Sequence, residues 1–90
     1  MSSKDVKVDL HPVARNGRLI DQALDEAFTE ARQRKARRLE IIHGKGTGQL
    51  KKRVQRYLNR DDVRALYHRL DKDRDNSGRV FVHFRWPRGQ

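Results

Sequence analysis

From Val6 the chain alternates, with Val6, Val8 and Leu10 on one side and Lys7, Asp9 and His11 on the other. That period of two predicts a short strand with one buried face. Pro12 to Arg18, with Asn16-Gly17 inside, reads as a turn or loop. Ile20, Ala23, Leu24, Ala27, Phe28 and Ala31 then recur at the spacing of an amphipathic helix, whose other face carries Asp21, Asp25, Glu26, Glu30 and Arg32. Acid early and base late in this segment suits the helix dipole. Arg38 to His43 is a second strand, and a helix crossing between two strands makes a right-handed parallel βαβ unit.

A second helix is expected over Gln49 to Leu58, with Leu50, Val54, Tyr57 and Leu58 inward and Lys51, Lys52, Arg53 and Arg56 outward. Asn59-Arg60-Asp61-Asp62 breaks it, and Val63 to Leu70 reads as a third strand. A polar turn, Asp71 to Gly78, leads into a fourth strand, Arg79 to Trp86, in which Val80, Val82, Phe84 and Trp86 alternate with Phe81, His83 and Arg85. So short a turn implies a hairpin. The predicted fold is α/β (α+β), a two-layer βαβαββ sandwich with a four-stranded mixed sheet and two helices on one face. Residues 1–5 are a frayed start, 6–86 a single domain and 87–90 a tail.

Composition narrows the function. The chain has 34% hydrophobic and 38% charged residues, a balance that would suit disorder had the apolar positions not fallen at regular spacings. It has no cysteine, which excludes disulfides, zinc-thiolate sites and thiol catalysis. No apolar run suits a signal peptide or membrane span, so a soluble, cytoplasmic monomer is expected. The net charge of +10, with a pI near 10.9, is spread along the chain. It exceeds the magnitude of about 2–8 that solubility asks for and points to a polyanionic partner, above all nucleic acid.

The stretch His43-Gly44-Lys45-Gly46-Thr47-Gly48 stands between the second strand and second helix. Its glycines allow a sharp bend, and the N–H groups opening the next helix form an anion site. Because parallel strands end at one sheet edge, Asp9 and His11 should reach the same rim as His43. The spacing fits neither a Walker loop nor G-x-G-x-x-G, which disfavours mononucleotides and leaves a phosphodiester backbone.

Val8-Asp9-Leu10-His11 with Ile41-Ile42-His43-Gly44-Lys45-Gly46-Thr47-Gly48-Gln49-Leu50 resembles the small MutS-related, or Smr, domain, marked by an L-D-x-H segment and an H-G-x-G turn. The resemblance spans about Val6 to Phe84 and implies a stand-alone domain with a fold akin to the C-terminal domain of translation initiation factor 3. It implies endonuclease activity on RNA or DNA, including messenger RNA on stalled ribosomes. By position it assigns functional roles to Asp9, His11, His43 and Gly44. Val8 replaces the usual leucine, Pro12 stands where glycine is usual, the Pro12 to Arg18 loop is longer, and the glycine-rich segment before the last strand shrinks to Ser77-Gly78.

For RNA a cofactor-free route is available. His11 and His43 serve as acid and base, Asp9 orients or activates one of them, and Lys45 with the amides of Gly44, Gly46, Thr47 and Gly48 holds the phosphate, helped by Lys51 and Lys52. Cleaving DNA would call for water and for a divalent ion, Mg2+ or Mn2+, at Asp9. The alternatives are a non-catalytic module docking nucleic acid or the ribosome through the same surface, and a two-histidine, one-carboxylate metal site at Asp9, His11 and His43. Tyr57, Tyr67 and Trp86 are read as core, and His68 and His83 are given no role.

Overall fold

The computed structural model describes residues 5–44, 48–72 and 78–86. β1 (Asp5–Asp9) leads through one turn of 3-10 helix (His11–Val13) to α1 (Gly17–Arg34). β2 (Arg38–Ile42), α2 (Gln49–Leu58), the short α3 (Asp61–Arg64), β3 (Tyr67–Lys72) and β4 (Arg79–Phe84) follow. The strands form one sheet in the order β1-β2-β4-β3. β1 and β2 are parallel, and β4 runs antiparallel to both of its neighbours, so the βαβ unit and the hairpin form as expected.

Side-chain alternation makes the two layers. Val6, Leu39, Ile41, Val80, Val82 and Phe84 turn to one side of the sheet and join Ile20, Leu24, Ala27, Phe28 and Ala31 of α1 with Val54, Tyr57 and Leu58 of α2 in one core. The other side carries ion pairs, Arg38 with Asp5 and Arg79 with Glu40, and Asp71 bonded to both Arg69 and His83.

Three boundaries differ from the sequence reading. The third strand does not begin at Val63. Asp61–Arg64 forms α3, with Asp61 and Asp62 in its first turn where the helix dipole favours acid, and Val63 is buried as a helical side chain. The Pro12 to Arg18 loop is largely ordered: Asn16 caps α1, its Oδ1 accepting from the N–H groups of Arg18 and Leu19 at 3.0 and 3.2 Å. α1 therefore starts at Gly17, and its first turn holds no acid. β4 ends at Phe84, and Trp86 stacks on Phe84 with its indole N–H donating to Ala36 O at 2.8 Å. Residues 73–77 of the hairpin turn, the 1–4 start and the 87–90 tail lie outside the described residues.

The acidic face of α1 is not simply solvated. Asp21 takes two hydrogen bonds from the Arg53 guanidinium, at 3.1 and 3.0 Å. One turn further, Asp25 accepts from the Tyr57 hydroxyl. Residues four apart on α1 thus meet residues four apart on α2 and set how the helices lie together. Gly17 makes room for this, since a Cβ there would stand 2.7 Å from the Arg53 guanidinium carbon.

Burial, followed by the bond to Asp25, raises the Tyr57 phenol well above its ordinary 10.0. The fold favours the neutral phenol, so its contribution is full below pH 10.0 and is lost as pH climbs through the raised value. Tyr57→Phe should cost about 1 kcal/mol in urea unfolding at neutral pH. It should also flatten the loss of stability that the unsubstituted protein shows in alkaline solution.

Candidate functional site

The ladder between β1 and β2 continues one bond beyond the strand, with Leu10 N–H donating to Ile42 O at 2.9 Å. The fully buried Leu10 side chain anchors the chain there. The 3-10 turn then folds it back, with Ala14 N–H bonded to His11 O at 3.2 Å. Pro12 stands second in that turn, just after His11, where a missing N–H still costs nothing.

Asp9 holds His11 twice. Its Oδ1 accepts from the His11 backbone N–H at 2.9 Å and from the ring Nδ1–H at 3.0 Å. The backbone bond, reinforced by the ring bond and the charge of His11, holds the Asp9 carboxyl below its usual range. With Nδ1–H donating to a carboxylate, Nε2 is the ring nitrogen left with its lone pair free. That atom faces Gly44, where a Cβ would lie 2.6 Å from it.

The second motif is pinned from the far side. The N–H groups of His43 and Gly44 both donate to Gly78 O at 2.8 Å, so the reduced glycine segment before β4 serves to hold this turn. Gly44 has φ +80°, and His43 Nδ1 donates to Gly44 O at 2.9 Å. Gly44 is thus required for its conformation and for the close approach of the imidazole. Gly48, at φ +92°, caps α2 and is required by conformation alone, because nothing lies within 4 Å of its would-be Cβ.

These parts enclose a cleft of about 210 Å³ lined by His11, His43, Gly44, Gly48, Gln49 and Lys51. The two motif histidines therefore share one cavity, with the opening turn of α2 as a wall. Half of Lys51 is buried there, whereas Lys52 is exposed and outside the lining. Lys45, Gly46 and Thr47 lie outside the described residues. Leu50 and Ala14 complete the lining, and neither Gln49 nor Ala14 was given a role from sequence. The position of Gln49 at the start of α2 was the available signal, and Ala14 offered none.

His43 and Lys51 also line a larger cleft of about 300 Å³ beneath α2. Among the described residues no three His, Asp or Glu side chains are grouped to hold a metal ion, so the two-histidine, one-carboxylate reading lacks geometric support. His68 and His83 sit together far along the chain from the motifs, ring centroids 6.2 Å apart, with His83 bonded to Asp71 at 2.9 Å.

Comparison with known proteins gives a consistent relationship. The family model described as Smr domain matches residues 8–85. The chain is 37% identical over 80 residues to Endonuclease MutS2 of Maridesulfovibrio salexigens, covering 86% of this chain and 10% of that protein. It therefore spans about a tenth of that relative's length. The crystal structure of the Smr domain of Thermus thermophilus MutS2 superposes with a TM-score of 0.73 at 26% identity, covering 89% of this chain and 98% of that one.

Gly44→Ala should destabilise the fold by about 1–2 kcal/mol, the cost of a side chain in left-handed backbone. It should also push the His11 ring off Asp9, read as changed His11 ring chemical shifts by NMR at one pH. Unmoved ring shifts would refute the contact.

Proposed function

The chain belongs to the Smr domain family, and from that premise we propose that it is an endonuclease cleaving phosphodiester bonds in RNA or DNA. The observation that carries the reading is the Asp9-held imidazole of His11 against Gly44, in one cleft with His43 and the start of α2. A phosphate seated there meets the positive end of a helix dipole and Lys51.

On RNA the reaction balances without a cofactor. One imidazole, neutral, takes the proton of the ribose 2'-OH as that oxygen bonds to phosphorus. The other, protonated, gives its proton to the 5'-oxygen as the P–O5' bond breaks, leaving a 2',3'-cyclic phosphate and a 5'-OH. Asp9 keeps the His11 ring in one tautomer and balances its charge when protonated, while Lys51 and the amides of the turn stabilise the phosphorane. A protein-held metal ion does not fit this set: Asp9 Oδ1 is taken by His11, and no second carboxylate joins it among the described residues. No step is routed through one.

A second reading, a module that binds nucleic acid without cutting it, is favoured by one feature. The bond from His43 Nδ1 to Gly44 O is what a purely structural histidine would make.

The test is incubation of end-labelled RNA and DNA with the protein, with and without EDTA, followed by end-group analysis. EDTA-resistant cleavage of RNA to 2',3'-cyclic ends is expected, whereas chelator-sensitive products with 5'-phosphates would sink the route. His11→Ala and His43→Ala should each slow cleavage by about 10²–10⁴-fold with little change in affinity. Retained affinity with no measurable cleavage by the unsubstituted protein would instead establish the binding module.

A further inference from the structure

We propose that the larger cleft beneath α2 receives one unpaired nucleobase of the strand whose phosphate occupies the smaller cleft. The inference rests on the nucleic-acid reading above and adds a site that would choose among substrates.

Continuity comes first. His43 and Lys51 form the wall between the clefts and line both, so a chain with its phosphate on one side of them has its neighbouring base within reach of the other. Size agrees. The cleft holds about 300 Å³, the low end of small-ligand pockets, which suits one planar heterocycle.

Its chemistry is that of a base slot. The floor is aliphatic, made by Val54, Leu58, Leu70 and Val80. Leu70 stands opposite Val82, on the helix side of edge strand β3, yet is 38% exposed. A stacked base would cover it. Above the floor, Gln55 and Asn59 stand four residues apart along the α2 axis and both line the cleft. Neither side-chain amide has a hydrogen-bond partner among the described residues. Each offers a donor and an acceptor, the complement of a base edge.

Charge selects this occupant over a second copy of the chain, which would bring +10 to a rim already carrying Lys51. A paired base is unavailable to the slot, so single-stranded or looped segments are the ligands.

The experiment is fluorescence anisotropy at fixed salt with a short labelled single-stranded oligonucleotide, its perfect duplex, and a version with abasic central positions, in ribose and deoxyribose series. The intact single strand should bind about tenfold more tightly than the abasic one in at least one series. Leu70→Ser, at an exposed position, should keep the melting temperature. Together with Gln55→Ala and Asn59→Ala it should weaken the intact strand and leave the abasic strand unchanged. Equal affinity for intact and abasic strands in both series overturns the base slot while leaving the nuclease reading in place. Failure to bind any of the oligonucleotides overturns both.

Discussion

The site depends on the parallel pairing of β1 with β2 and on its continuation past the strand ends. Asp9 stands opposite Ile42, and the Leu10 N–H still finds Ile42 O. A slip of one residue would carry Leu10 out of the core and Asp9 into it, so the burial of a single leucine fixes the register. Gly78 O, from the strand on the other side of β2, then accepts from both His43 and Gly44. Two motifs some thirty positions apart are brought together by backbone bonds from both neighbours of the central strand.

The third wall is set by helix packing. Phe28 meets Tyr57 at a ring separation of 5.5 Å and Phe84 edge-on at the same distance, which places α2 over the sheet through apolar contact. The Arg53 bonds to Asp21 and the Tyr57 bond to Asp25 add direction more than energy, since a half-exposed ion pair contributes at most about 1 kcal/mol. They fix the slide of α2 along α1, and with it where Gly48 and Gln49 open onto the cleft.

What the sequence disclosed follows from the range of the forces involved. α2 was readable end to end because its apolar positions are spaced by the helix itself, and β1, β2 and the parallel pairing followed from alternation and a crossover. α3 was not, because one turn is too short to show a period and Val63 looks the same in a helix as in a strand. Asp9, His11, His43 and Gly44 were legible as motif residues. That His11 Nε2 rests against Gly44, or that Arg53 is drawn out of the Lys51-Lys52-Arg53 run by Asp21, depends on tertiary offsets that no local spacing records. The same holds for the slot under α2, which exists because α2 leaves Leu70 on the sheet edge uncovered.

The ion pairs have a consequence for how the charge of this chain is felt at a distance. Arg34, Arg38, Arg53, Arg60, Arg69 and Arg79 each hold a carboxylate of the chain itself. Counterion release on binding a polyanion is driven by cations that meet phosphates, with a slope of about 0.9 per phosphate neutralised on B-DNA. These arginines arrive already neutralised. Lys51, Lys52 and Arg56, which hold no carboxylate among the described residues and stand on the helix that borders both clefts, are among the cations left to contribute. A count of basic residues therefore overstates the cations free to meet phosphate, and part of what remains stands on the helix beside the clefts.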